Sequence, residues 1–365
     1  MTEIRVKKER VTWIDFAKVI SITLVVLGHV PIPIDSPLIE AFRSFRMPLF
    51  FFLAGCLAKD RSIKEQTQNI AKTLLIPYIL LYIICYVLWL PLIFPNHPNF
   101  GVGFTFDNIF LKPFLGLILG NGYHTGSSSM VNLALWFLAA LMVVKMIHAV
   151  LLYICKGNNW VYFSCVSVLV LLFLLFNKAL KIDLFFSIDS ALLSFPFYAV
   201  GNRLSNVLLK KPSNSSSKLR IIASLFIGLS IFLLVLNTAP LNGYVDIDHC
   251  FYGQSLGLFY LIGFLGILAL VLLSQWYIWK WSIISTIANG TIIILAFHGW
   301  VTKIILIGIG LGQNRITPNS TIGSVTAILV SVATVVVMVP LIIVADKWFP
   351  ILMGRRKLQI ATKCK

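Results

Sequence analysis

The chain has 365 residues, 58% of them hydrophobic and only 12% charged, with a formal net charge of +17 at neutral pH. Soluble domains carry about 25% charged residues, so this composition excludes an ordinary soluble globular protein and points to an integral membrane protein. The positive charge does not signal nucleic acid, because the cations sit in short clusters between apolar spans and no interleaved basic and aromatic surface is present.

Apolar runs of bilayer length predict an all-α, polytopic membrane helix bundle of about ten transmembrane helices. The spans lie near 13–30, 38–58, 73–94, 132–154, 160–178, 186–204, 219–237, 253–274, 284–308 and 322–345. Residues 1–12 then form a basic tail, 13–345 the transmembrane domain, and 346–365 a second basic tail. The first span follows Arg5, Lys7, Lys8 and Arg10 and so resembles a signal sequence, but Asp15 and Lys18 interrupt it and no cleavage site follows, so it is read as retained. With the N-terminus in the cytoplasm, 21 lysines and arginines fall in inner segments, and the outer loops hold Lys112, Lys181 and Arg315, with Lys178 at a span end. That asymmetry places both termini in the cytoplasm. The cysteines sit mostly in or beside apolar spans, so no disulfide framework is expected. A Gly-, Asn- and aromatic-rich outer loop covers about 95–131, and KKPSNSSSK at 210–218 is a flexible inner linker.

The first span, WIDFAKVISITLVVLGHV, is the most informative stretch. Lys18 and His29 stand 11 residues apart, about 16 Å along a helix and close to three full turns, so both point to nearly one side. A cation near one membrane surface and an imidazole toward the other suit a long ligand with an anionic head and a reactive tip. A snorkelling lysine and a hydrogen-bonded histidine are the structural alternative. Arg43 and Arg46 share a face of the second helix near the same surface as His29, where an arginine can hold oxyanion charge. Equally, Arg43 can pair with Glu40, and Arg46 can cap the bilayer interface. Lys18 joins Lys59, Arg61, Lys64 and Lys72 in a basic inner mouth, with Asp15 a candidate partner for Lys18.

In GYVDIDHCFYG, the carboxylates of Asp246 and Asp248 and the imidazole of His249 lie among aromatics, a combination suited to holding a sugar and too sparse for a metal. His298 falls within a late span, either as a second functional histidine or as a helix-to-helix hydrogen bonder. His97, His124 and His148 receive no role, and nucleotide-binding and GxSxG motifs are missing from the sequence.

The segment from Lys18 to His29, a basic residue followed by ten positions and a histidine, resembles the signature of the acyltransferase 3 family of bacterial membrane acyltransferases, in particular its fucose 4-O-acetylase-like branch. FRMPLFFFLAG is similar to that family's second element, with Arg46 where histidine is common and Ala54 where serine is. IPY at 76–78 matches a further element, although Asn69 and Lys72 stand where family members often have two arginines. LWFLAAL at 135–141, FPFYAVGNRL at 195–204 and NGTIIILAFHGW with His298 also look familial. The resemblance implies an enzyme of the bacterial inner membrane that moves an acyl group, usually acetyl, from acetyl-CoA or another acyl-CoA to a hydroxyl of an extracytoplasmic glycan or lipid-linked oligosaccharide, without a metal. His29 is then the general base, with an acyl-histidine as the less favoured variant. Arg46 or Arg43 is the oxyanion stabiliser, Lys18 and Lys72 hold the donor's phosphates, and Asp246, Asp248, His249 and His298 are acceptor-side residues. Two rival readings follow from the same residues: a transporter or flippase in which Asp15, Lys18 and His29 relay protons, and a non-catalytic partner of a glycan polymerase.

Overall fold

The computed structural model describes residues 11–30, 37–92, 106–120, 130–180, 184–209, 218–277, 279–310 and 321–355. Residues 1–10 and 356–365 of the two basic tails, the linker at 210–218 apart from its last residue, and most of the 95–131 loop, with His97 and His124, lie outside them.

Helices form where the apolar runs predict them. In order they are α1 (Thr12–Leu27), α2 (Pro37–Cys56), α3 (Ile63–Ile70), α4 (Ile76–Leu92), α5 (Lys112–Leu119), α6 (Trp136–Cys155), α7 (Asn159–Phe173), α8 (Ile188–Leu208), α9 (Lys218–Asn242), α10 (Leu256–Ser274), α11 (Ser282–Asn289), α12 (Thr291–Gly308), α13 (Thr321–Val337) and α14 (Val339–Trp348). Among the described residues seven helical stretches are long and apolar enough to cross a membrane. With almost no sheet beside them, they make this an all-α polytopic bundle. The seven do not include α1, α2 or α8. α1 has only 16 residues, and α2 carries Glu40, Arg43 and Arg46. These three helices are heavily buried against their neighbours, and protein contact lets a helix bear polar groups that lipid would not tolerate.

Three boundaries differ from the sequence expectation, each for a local reason. The span expected at 73–94 begins at Ile63, where Ser62 and Glu65 make a capping box. It crosses a π-turn at 71–75 just before Pro77, whose missing N–H cannot continue a regular ladder. The span expected at 284–308 breaks at Gly290, where a Cβ would strike the Ile342 side chain of α14. The expected loop at 95–131 contains α5. Its backbone and the π-turn before it, at 107–111, are tied to α4 by a tyrosine ladder, in which the hydroxyls of Tyr78, Tyr82 and Tyr86 donate to the carbonyls of Leu117 (2.7 Å), Pro113 (2.6 Å) and Ile109 (2.7 Å).

The centre of the bundle is the crossing of α2 with α8. A Cβ at Gly55 would run into the Tyr198 carbonyl, and one at Gly201 into the Phe52 carbonyl, so the two backbones touch through paired glycines. α10 packs beside them, with Gly263 against Phe197 and Gly266 against Phe45. The crossing fixes α2, and with it Arg46, relative to the rest of the bundle.

A short antiparallel hairpin joins α9 to α10: β1 (Val245–Asp246) pairs with β2 (Phe251–Tyr252). Asn242 staples its base. Its side-chain amide donates to the Tyr252 carbonyl (2.8 Å), its side-chain oxygen accepts from the Ser255 N–H (3.0 Å), and its backbone carbonyl accepts from Gln254 (2.7 Å). Ser190 of α8 donates to the Ile247 carbonyl (2.9 Å) and holds the tip. Bonds at its base and at its tip thus tie the hairpin to α9, α10 and α8.

Candidate active site

His29 does not lie inside α1 but in the turn just beyond it. The helix tightens as it ends: the His29 N–H donates to Val26 and the Val30 N–H to Leu27, both three residues back. The imidazole Nδ1 lies 2.8 Å from the Val25 carbonyl. A carbonyl only accepts, so Nδ1 carries the proton and Nε2 keeps its lone pair. His29 and Gly28 are exposed, although the residues before them in α1 are mostly buried.

Two side chains complete this centre. The ring of His298, from α12, stands edge-on to that of His29, with centroids 4.8 Å apart at 73°. His298 is buried, and its Nδ1 faces the carbonyls of Ile294 (2.9 Å) and Leu295 (3.0 Å), which again leaves Nε2 as the acceptor. It thus bonds its own helix rather than a neighbouring one. The guanidinium of Arg46 lies over Gly28 so closely that a Cβ there would fall within it.

The hairpin supplies the polar wall. Asp246 Oδ2 accepts from the Tyr244 hydroxyl (3.0 Å) and from His249 Nδ1 (2.9 Å) and is within electrostatic reach of Arg46 and His29. Burial alone would raise the Asp246 carboxyl. The bond from His249, its charge and the Tyr244 hydroxyl outweigh burial and hold the carboxyl below its ordinary value. The same bond raises His249. Arg43 lies over the Tyr244 ring, 4.7 Å from its centroid, and so braces the hairpin. His249 and Phe251 lie nearly parallel, 6.2 Å apart. Asp248, its neighbour in sequence, is turned inward: it is buried with Asp189 and Cys250 near the start of α8, and burial pushes its carboxyl up to about 8. It therefore belongs to the packing of the hairpin and not to an exposed binding surface.

From the other end of α1 a cavity of about 220 Å³ enters the bundle. Lys18 and Lys145 stand in its wall with Phe50, Phe137 and Leu141, and it reaches Val25 and Leu295, whose carbonyls hold the two imidazoles. Arg61 and Lys18 are close enough to Lys145 to repel its charge. Lys145 escapes the sequence reading, although a lysine within an apolar span is the signal that would reveal it. Lys72 is not brought to this cavity; it lines a separate one with Glu65, Asn69 and Gly354. Asp15 likewise faces a different cavity, with Thr12, Tyr277 and Lys280. His148 is structural: it is buried, with Nδ1 2.8 Å from the Tyr162 hydroxyl. Among the described residues no group of three potential metal ligands converges.

A bundle of membrane-spanning helices that brings a histidine pair and an arginine together one helical turn beyond the end of a cation-flanked apolar cavity defines a polytopic membrane protein with a polar site among its helices. The chain belongs to the acyltransferase 3 family: that family's acyltransferase domain matches residues 11–345. It is a membrane acyltransferase by that membership. No curated protein and no solved structure matches it.

Proposed function

We propose that the protein is an O-acyltransferase, acetyl in the first instance, which takes its acyl group from cytoplasmic acyl-CoA and delivers it to a hydroxyl of an extracytoplasmic or lipid-linked glycan. The observation that carries this reading is the single cavity with Lys18 and Lys145 in its wall and the His29–His298 pair one helical turn beyond its far end. Cations at a cytoplasmic mouth suit the phosphates of a coenzyme, and apolar walls suit its uncharged arm. The thioester then arrives beside His29. Both termini lie in the cytoplasm of a bacterial cell on this reading, and the hairpin faces outward.

His29 acts as general base. Its Nε2 takes the proton of the acceptor hydroxyl as the oxygen attacks the thioester carbonyl. Arg46, fixed by the α2–α8 crossing, stabilises the oxyanion that forms, and the coenzyme thiolate departs. Tyr244, Asp246, His249 and Phe251 receive the sugar, with an anionic carboxylate for its hydroxyls and aromatic faces for its ring. Arg43 supports that wall and does not touch the reacting atoms. The proton-relay transporter is less well supported, because Asp15 and Lys18 line different cavities.

The test is transfer or hydrolysis of labelled acetyl-CoA by the purified protein in liposomes, with His29→Ala alongside. Turnover by the wild type, lost by a factor of about a thousand or more in His29→Ala with coenzyme binding retained, is the expected result. A fully active His29→Ala, or a wild type that neither binds nor consumes acyl-CoA, would sink the assignment.

A further inference from the structure

The proposed reaction leaves one proton and one buried imidazole unaccounted for. His29 ends the attack as an imidazolium, while the departing sulfur is a thiolate facing a low-dielectric interior, where an unpaired charge is costly. The side chain packed against His29 is a second imidazole with an unprotonated Nε2. Both Nδ1 atoms are tied to carbonyls of their own helices, which fixes the two rings in orientation. The two rings differ in exposure. His29 is accessible, whereas His298 is 3% exposed, and its anchoring residue Leu295 lines the cavity that starts at Lys18.

We infer that His298 is a second catalytic residue, which takes the proton from His29 and gives it to the sulfur of the leaving coenzyme. The inference rests on the acyl-CoA reading above. Its balance is complete. The acceptor O–H breaks and its proton bonds to His29 Nε2. The new ester C–O bond forms and the C–S bond breaks. The proton passes from His29 Nε2 to His298 Nε2 and then to sulfur, forming S–H. Both imidazoles return to the neutral state in which they began, and no other reactant is consumed. An amide in place of His298 could not carry the proton. An imidazole suits the step because its two states lie close in energy near neutral pH.

The discriminating variant is His298→Asn. Asparagine keeps an N–H near the position of Nδ1 and so preserves bonding to Ile294 and Leu295, but it cannot pass a proton. The expected result is a fall in kcat of about 100-fold, with KM and binding of acetyl-CoA within twofold of wild type. His298→Ala should recover part of its rate when imidazole is added, which a packing role would not allow. The double variant with His29→Ala should be no worse than about threefold below His29→Ala alone, because residues in one proton path do not contribute independently. A kcat within threefold of wild type in His298→Asn would overturn the inference while leaving the acyl-CoA reading intact. So would multiplicative losses in the double variant. Failure of both His298 variants to bind coenzyme would assign the residue to packing and overturn it too. A wild type without coenzyme binding or turnover is the separate result that removes the underlying reading.

Discussion

The two ends of the site are built from opposite chemistry. Toward the N-terminus of α1 the cavity wall is apolar, with Phe50, Phe137, Leu138 and Leu141, and its charged lining groups are Lys18 and Lys145. Beyond the C-terminus of α1 the hairpin offers a carboxylate, a phenol and an imidazole bonded to one another, braced by an arginine. At the first end Arg61 and Lys18 lie close enough to Lys145 to repel its charge, a concentration of cations that suits an anionic ligand. The second end satisfies its charges internally and presents a finished surface. On the proposed reading an anionic donor enters from one side and a neutral, hydroxyl-rich acceptor from the other, which this asymmetry suits, and His29 with Arg46 marks where the two halves meet.

The largest expected effect lies at that meeting point. Gly28 has an ordinary right-handed helical backbone (φ −70°, ψ −11°), so alanine fits the main chain there, yet its methyl would occupy the place of the Arg46 guanidinium. Gly28→Ala should lower kcat by about 100-fold through loss of oxyanion stabilisation, with donor binding kept. Steady-state kinetics and a coenzyme-binding isotherm check this, and an active Gly28→Ala would show that Arg46 need not sit over the turn.

An intermediate effect belongs to the donor end. Lys145→Met keeps the apolar stem and removes the charge. It should raise KM for acetyl-CoA by about tenfold at low salt and by less as salt increases, with kcat nearly unchanged. A loss confined to kcat would break the division of labour between the two ends.

The smallest effect concerns the hairpin's foundation. The buried Asp248 carboxyl titrates at about 8 in the folded protein against an ordinary 3.8. Between those values the unfolded chain has lost the proton and the folded one keeps it, so this group's contribution to stability is full below pH 3.8 and declines until about pH 8. Asp248→Asn should flatten the fall of Tm between pH 5 and about 8 in detergent without lowering activity at pH 7. Thermal melts at a pH series check it, and an unchanged slope would remove Asp248 from the titration.

Much of this was legible in the chain, and the exceptions have physical causes. Helix positions followed from apolar length, because a bilayer imposes it. The pairing of Lys18 with His29 followed from one helix's periodicity. What periodicity could not supply was the tightened turn that carries His29 past the helix end, or the close approach of Arg46, which depends on α2 being pinned by Gly55 and Gly201. His298 was visible as a buried histidine, but its contact with His29 joins residues far apart in sequence. Asp246 and Asp248 look equivalent in GYVDIDHCFYG. They separate because Asp246 lies in β1, within electrostatic reach of Arg46, whereas Asp248 falls in the turn at 247–250 and is buried. Lys72 belonged to the basic mouth by sequence proximity alone, and the π-turn before Pro77 gives it a different cavity.

One property of α1 reaches beyond its individual side chains. Lys18 and His29 are borne by a single continuous rod and its closing turn, so their separation of about 16 Å is set by backbone geometry and not by the packing of two elements. The rod is therefore a gauge. On the proposed reading it measures donors from their charged head to their thioester, and it accepts acyl groups according to what lies beyond His29. Shortening or lengthening the donor's arm should then cost rate even when both ends of the donor are chemically intact.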